Sequence, residues 1–564
     1  MKYPTFSLIG SLLLVSACSQ KEIANTPAKP QSSPAPSVMA EQSMSAELMT
    51  GHSQATGSAS ASLGAMRHNM ALAKIASPAV SMTDRALRHE ERDKFSHFSD
   101  NPIKQVSLEP VSTFSLDVDT GSYALVRQYL RQGRLPPTDA VRTEELINYF
   151  TYEEIHHPSQ HPFAVHTELT TAPWQPAHYL LRVGVQAQEQ QRQELPPANL
   201  VFLVDVSGSM DDANKLPLVI RSLELLTEQL RAQDSVSLVV YAGRTEVVLE
   251  PTAGNRKAEI RAALARLQAG GSTAGASALN LAYQMARKAY KKDGINRILL
   301  ATDGDFNVGV TDTQQIKDIV QRERESGVTL STLGFGLGNF NDAMMEQIAD
   351  VGNGNYSYID SLTEARKVLV DELSSTFHTV AQDVKIQIEF NPQYVREYRL
   401  IGYENRQLKR EDFNNDKVDA GDVGAGKRVT AIYEITPNGA PSSVDALRYQ
   451  QALKKAAVST PEFAFLKVRY KHPNKTQSVL WSQALVMPKT VTEFSQASVD
   501  HRFACAVAGF GQLLRQSTQM ANFSYPQLLA IAQQASANDR FGLRSEFLQL
   551  VQNANSLTNP SHHE

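Results

Sequence analysis

The run Val201-Phe202-Leu203-Val204-Asp205-Val206-Ser207-Gly208-Ser209-Met210 closes an apolar stretch with Asp-x-Ser-x-Ser, and a helical pattern follows. Side chains at i, i+2 and i+4 of a near-extended turn point the same way, so Asp205, Ser207 and Ser209 can converge on one point. Gly270-Gly271-Ser272-Thr273-Ala274-Gly275 precedes a second helix and offers the hydroxyl of Thr273. Leu299-Leu300-Ala301-Thr302-Asp303-Gly304-Asp305 ends another apolar run and offers Asp303. Such a set supplies oxygen atoms aimed at one place. It does not supply an activated nucleophile. A nucleophile elbow needs glycine two residues before and after the serine, and Ser207 has Asp205 and Ser209 there. No Ser-His-Asp, Cys-His or paired-carboxylate signature accompanies the set, so the chain reads as a binder rather than an enzyme.

The elements that must carry these residues follow a regular alternation. Apolar strands are expected at 200–204, 235–241, 297–301, 328–334 and 356–359. Amphipathic helices are expected at 216–230, 258–267, 276–290, 313–324 and 342–349, and Ser361-Leu362-Thr363-Glu364 opens another with a capping box. Alternating strands and helices make an α/β domain with a doubly wound, mostly parallel sheet. In such sheets ligands bind beyond the carboxyl ends of the strands, where the Asp205 loop lies. On either side the pattern changes. Residues 105–190 hold three candidate strands, at 112–118, 163–170 and 179–185, and two helices, at 122–130 and 142–150. Residues 382–487 hold five more candidate strands, and helices are expected at 502–515, 525–535 and 542–554. The first flank has too few strands to close a sheet of its own, and those of the second lack a preceding partner. The two flanks are therefore expected to form one β-rich domain from which the α/β domain loops out, since the two ends of a domain often lie close together. The expected organisation is 83–196 as the N-terminal α+β flank, 197–378 as the α/β domain and 379–490 as the β-rich C-terminal flank. C-terminal helices at 491–555 and a tail at 556–564 complete it.

Asp205, Ser207, Ser209, Thr273 and Asp303, in this order and at the ends of a β/α array, resemble the metal-ion-dependent adhesion site of the von Willebrand factor type A (VWA) family. The resemblance implies that the two serines and the threonine ligate a divalent cation, and that the aspartates hold it directly or through water. Mg²⁺ is the expected ion, with Mn²⁺ and Ca²⁺ as alternatives. Mg²⁺ takes a near-octahedral shell of oxygens and keeps several waters. Neutral hydroxyls leave most of its charge unquenched, while carboxylates in an outer shell orient the ligands. An ion so held remains open to an acidic side chain of a protein partner, so recognition is the implied function. A hydrolase with its activity in the flanks, or a scaffold with a structural metal, are the alternatives. Outside the α/β domain, 112–123, Leu135-Pro136-Pro137 and 142–150 resemble the N-terminal segment of YfbK-type lipoproteins, which are bacterial envelope proteins with a central A domain. The stretches 423–435 and Arg502-Phe503-Ala504 resemble their C-terminal domain. The likeness spans roughly residues 100 to 555.

The start of the chain reads as a targeting segment, 1–17. Lys2 precedes an apolar run at 6–15, too short for a bilayer, which needs about 20 apolar residues. The run ends in Val15-Ser16-Ala17-Cys18, which resembles a lipobox, so Cys18 is the expected lipidation site and the membrane an expected partner. Ser19 resembles the sorting pattern of the Gram-negative outer membrane, facing the periplasm or the surface. Residues 18–82 are rich in Ala, Ser, Pro, Gln and Met and cannot bury enough surface to fold alone; as a disordered tether they reach about 44 Å. The formal net charge of −4 shows no nucleic-acid footprint.

Four other features are set aside on chemical grounds. Gly421-Asp422-Val423-Gly424-Ala425-Gly426-Lys427 has phosphate-loop spacing but continues with Arg428 into a strand, and reads as a hairpin turn. Asp117-Val118-Asp119-Thr120-Gly121 is half of a phosphatase motif and reads as a strand end with a helix cap. His156, His157, His161 and His166 are separated by Pro158 and Pro162 and read as solvated loop residues. Cys505, in an apolar helical stretch, reads as a buried thiol.

Overall fold

The computed structural model describes residues 93–152, 161–271, 275–304, 313–373, 375, 378–445, 460–473, 475–520, 522–537, 539 and 541–559. The segments 1–17 and 18–82 and Cys18, Thr273, His156, His157 and the tail after 559 lie outside them.

In chain order, the N-terminal flank supplies β1 (Lys104–Gln105), β2 (Val111–Ser115), α1 (Gly121–Arg131), α2 (Thr143–Asn148), β3 (Phe163–Thr171) and β4 (Tyr179–Ala187). The α/β domain runs from β5 (Ala198–Asp205) and α3 (Leu216–Gln229) through β6 (Ser235–Tyr241), β7 (Thr245–Ala253), α4 (Lys257–Leu264) and α5 (Gly275–Lys288). It continues with β8 (Ile295–Thr302), α6 (Thr313–Arg324), β9 (Thr329–Gly334), α7 (Asp342–Val351), β10 (Tyr356–Tyr358) and α8 (Leu362–Arg366). The second flank supplies β11 (Thr379–Phe390), β12 (Val395–Ile401), β13 (Val423–Gly424), β14 (Arg428–Pro437), β15 (Glu462–Lys471) and β16 (Ser478–Val486). Three helices end the chain, α9 (Val499–Leu514), α10 (Tyr525–Gln534) and α11 (Leu543–Thr558).

The central sheet has the order β10-β9-β8-β5-β6-β7, parallel except for β7, which runs antiparallel to β6. Every residue of β5 is buried, as a strand covered by helices on both faces requires. β7 is an addition to the expected elements. It pairs with β6 from Tyr241↔Thr245 across a short turn, with register shifts on either side of Leu238, and makes the antiparallel edge. Its half-exposed, mixed sequence gives no apolar run to mark it in advance.

The flank strands interleave. β4 of the first flank pairs with β14 of the second, Val183 opposite Ala431, and β2 pairs with β11, Phe114 opposite Ile386. Two antiparallel sheets result, one ordered β1-β12-β14-β4-β3 and the other β13-β11-β15-β16 with β2 on β11. They share a core of Phe114, Val183, Val185, Ile386, Tyr433 and Leu466. Helices α2, α9, α10 and α11 cover the outer face of the first sheet through Leu180, Ile401, Ile432, Phe503 and Phe547. The 421–427 stretch does not make a hairpin. β13 pairs with β11 while β14 pairs with β4 and β12, so the turn, with Gly426 at φ +73°, carries the chain from one sheet to the other.

The α/β domain is held against the flanks by three arginines with little exposure. Arg127 of α1 bonds Asp360 Oδ1 at 2.5 Å, Glu364 Oε2 at 2.7 Å and Glu546 Oε2 at 3.1 Å. Arg142 clamps both oxygens of Asp342, at 2.6 and 3.1 Å, and also binds Glu145. Arg406 reaches Glu346 and Asp350 on α7, both at 3.1 Å, and Asp119 at 3.3 Å. Asp119 also accepts the backbone N–H of Tyr356, so Asp117 and Asp119 belong to this junction. Thr120 makes no side-chain cap for α1, contrary to the expected helix cap.

Removing one member of a buried pair leaves the other uncompensated, at about 3–5 kcal/mol. Arg142→Met therefore lowers the stability of the full chain by about that amount in urea unfolding. Arg142→Lys recovers only part of it, because lysine has no planar fork for Asp342. A loss under 1 kcal/mol for Arg142→Met refutes the clamp.

Candidate metal centre

β5 lies between β6 and β8, so its carboxyl end opens where the chain turns to opposite sides of the sheet. Asp205, its last residue, is fully buried. Its Oδ1 accepts the N–H of Ser207 at 2.9 Å and its Oδ2 accepts the hydroxyl of Thr302 at 2.9 Å. These bonds fix the carboxylate at the mouth of the strand. The turn that follows brings Ser207 Oγ and Ser209 Oγ within 3.0 Å of each other. Ser207 is buried and Ser209 half-buried, so the pair faces the surface from below.

The second loop docks on the first through its backbone. Gly270 N–H donates to Val206 O at 2.8 Å and Gly208 N–H to Gly271 O at 3.1 Å. Thr273 itself lies outside the described residues. Asp303, one residue beyond the end of β8, is fully buried, and its Oδ2 accepts from Lys215 Nζ at 2.9 Å and Asn339 Nδ2 at 3.3 Å. Burial pushes the Asp205 carboxyl up to about 6; the Ser207 and Thr302 bonds oppose the shift, and the charge of Asp303 adds to it. The structure thus brings together Asp205, Ser207 and Ser209 and docks the Gly270–Gly271 backbone on them, with the charge of Asp303 felt at Asp205. Two buried carboxylates and a pair of hydroxyls suit a hard, oxygen-seeking divalent ion.

Lys215, Thr302 and Asn339 join the site without having been expected there. Thr302 stands next to Asp303, so its position alone could have flagged it. Lys215 and Asn339 lie in turns whose course only the tertiary structure reveals.

The residues set aside also find their places. Cys505 is buried in the helical core, and burial pushes its thiol well up. His161 Nδ1 lies 3.2 Å from Tyr470 Oη, and His166 is exposed on β3. Among the described residues no group of three His, Cys, Asp or Glu side chains makes a separate metal cluster. None of their helices is long and apolar enough to cross a membrane.

Residues 199–372 match the family described as von Willebrand factor type A domain, and 89–182 the one described as von Willebrand factor. Residues 375–557 match the one described as Uncharacterized protein YfbK, C-terminal. The protein of Escherichia coli (strain K12) named Uncharacterized protein YfbK is 51% identical over 476 residues, covering 83% of this chain and 82% of that protein. The chain belongs to the YfbK family of VWA proteins. The Synechocystis protein sll0103 is 34% identical over 187 residues, 33% of this chain and 43% of that one. Among solved structures, the von Willebrand factor type A protein from Catenulispora acidiphila is 14% identical, covers 69% of this chain and 91% of its own, and has a TM-score of 0.39. VWA domains commonly mediate protein–protein interaction and often bind a divalent metal.

One glycine of the site is sterically required. Gly304 has φ +86°, and a Cβ there would come within 2.4 Å of Asn341 N. Gly304→Ala costs about 1–3 kcal/mol by urea unfolding. Gly208→Ala, whose Cβ meets only Gly271 O at 3.7 Å, stays within about 0.5 kcal/mol. Equal losses from the two variants contradict this packing.

Proposed function

We propose that this protein is a membrane-tethered module of the Gram-negative cell envelope that binds a protein partner through a divalent metal. The ion is held by Asp205, Ser207, Ser209, Thr273 and Asp303, and the partner supplies an acidic side chain. The observation that carries this reading is the pair of serine hydroxyls 3.0 Å apart beside a buried aspartate at the carboxyl end of the central strand. When bound, the ion supplies a positive centre open to an anionic oxygen. The chain's own residues do the rest. Thr302 and the Ser207 N–H orient Asp205, and Lys215 and Asn339 orient Asp303. Mg²⁺ is the proposed ion, with Mn²⁺ and Ca²⁺ as alternatives. The activity is binding, not catalysis.

A ligand that binds only the folded state stabilises it by about 2.7 kcal/mol at a hundredfold excess over Kd. For a domain of this size 1 kcal/mol corresponds to roughly 2–4 °C. Saturating Mg²⁺ or Mn²⁺ therefore raises the melting temperature by several degrees. Asp205→Ala, Thr273→Ala and the double change Ser207→Ala with Ser209→Ala each erase the increment and leave the far-ultraviolet circular dichroism unchanged. A chelator releases envelope proteins captured by wild type, and the variants do not capture them. Identical melting curves and identical capture for wild type and Asp205→Ala, with and without chelator, would sink the reading. Capture that survives chelation while the metal increment disappears points to a structural ion instead.

The tether is proposed to begin at Cys18, acylated after removal of 1–17, with the protein held at the outer membrane and facing the periplasm or the surface. Mass spectrometry of the mature N-terminus then shows acyl chains on Cys18, and Cys18→Ala moves the protein into the soluble fraction. A mature N-terminus elsewhere, without lipid, excludes the anchor.

A further inference from the structure

The site contains a positive charge of its own. Lys215, the residue before α3, is 5% exposed, and its Nζ donates to Asp303 Oδ2 at 2.9 Å and to Asn339 Oδ1 at 3.2 Å. Asn339 Nδ2 donates back to the same carboxylate oxygen at 3.3 Å. The backbone is shaped to admit the lysine stem. Gly336 has φ +71°, and a Cβ there would come within 2.5 Å of Lys215 Cε and 2.7 Å of its Cγ. The loop that bears Gly336 and Asn339 is anchored from the N-terminal flank, where Asp93 Oδ1 accepts the N–H groups of Gly338 and Phe340 at 2.9 and 2.8 Å.

We infer that Lys215 is a resident counter-cation of the metal centre, one that holds Asp303 in the metal-free state and sets how tightly the ion is bound. The inference rests on the metal reading of the site. Among the described residues, two buried carboxylates and one ammonium give the pocket a net charge of about −1, and a divalent ion raises it by two. Without the ammonium the same steps run from about −2 to about 0. The lysine therefore weakens the hold on the metal and leaves the loaded centre with surplus positive charge for an incoming carboxylate. It also accounts for how a metal-free site with Asp205 and Asp303 both buried avoids having two uncompensated charges. Lys215 is a positioning residue, because it touches Asp303 and is too buried to meet a partner.

The two effects have opposite signs, which separates this role from plain structural support. Lys215→Met and Lys215→Gln, each in the full chain, lower the melting temperature of the chelator-treated protein. They also lower the Kd for Mn²⁺, read by titration calorimetry, by about tenfold or more. Asn339→Asp, which keeps the lysine but gives its ammonium a second carboxylate, tightens Mn²⁺ binding in the same direction and serves should the lysine variants not fold. If the neutral variants melt cooperatively and bind Mn²⁺ as wild type does or more weakly, the inference is overturned. If wild type itself takes up no Mn²⁺, the metal reading fails, and this inference fails with it. If wild type binds and Asp205→Ala does not, the metal reading stands and the lysine variants decide the inference alone.

Discussion

Carboxylates removed from water have to be answered by positive charge, and most of this architecture follows from where that answer comes. Charge pairs are worth several times more inside the protein than in water, and an unpaired buried charge costs correspondingly more. Two clusters of buried acidic residues among the described residues of the VWA domain show this. Along α7 and the stretch after β10, Asp342, Glu346, Asp360 and Glu364 meet Arg127, Arg142 and Arg406, and all three arginines belong to the flanks. At the carboxyl end of β5 and β8, Asp303 meets Lys215 from within the domain, and Asp205 is held by the Ser207 N–H and the Thr302 hydroxyl. The first set fixes the A domain on its frame. The second sets two buried carboxylates against one ammonium among the described residues, an excess of negative charge that suits the proposed cation site.

The frame explains why the arginines can come from both ends of the chain. Arg127 and Arg142 precede the A domain in sequence and Arg406 follows it, yet all three reach it because β4 pairs with β14 and β2 with β11. A chain that leaves a sheet at β4 and returns to the paired layer at β11 has the inserted domain attached at two nearby points. Rotation of that domain would break bidentate contacts such as Arg142 on Asp342, where geometry as well as charge is matched. The junction therefore fixes orientation more than it adds net stability, since a buried pair gains little over an apolar replacement.

The parts legible in the sequence are those written in local pattern. β5 is a continuous apolar run ending in Asp-x-Ser-x-Ser, and the alternation of such runs with amphipathic helices defines the parallel sheet. The Ser361 cap, with the Glu364 N–H donating to the serine hydroxyl at 3.2 Å, follows from four residues. The sharing of sheets between the flanks was legible as a shortage of strands on one side. The registers were not, because a pairing such as Val183 with Ala431 joins residues far apart in sequence, each of which only alternates like its neighbours. β7 escaped because an edge strand with exposed charged positions has no apolar signature. Lys215 escaped because a lysine before an amphipathic helix looks like any solvated residue. Its burial depends on Gly336 and Asn339, more than a hundred residues later.

The loop between β9 and α7 links the two charge systems. Its far end is the start of α7, where Arg142 grips Asp342, and its middle carries Gly336 and Asn339 onto Lys215. Asp93 ties the same loop to the N-terminal flank, and its other oxygen accepts the hydroxyl of Tyr129 from α1 at 2.7 Å. A displacement of the flank by even 1 Å would lengthen hydrogen bonds already at 2.8–2.9 Å beyond useful strength. The loop would then lose the conformation that presents Asn339 to Asp303. The candidate metal centre is built within the A domain, but the geometry around one of its two carboxylates is maintained from outside it. The flanks thus support the candidate site from outside the A domain, and an isolated A domain would lack one side of that support.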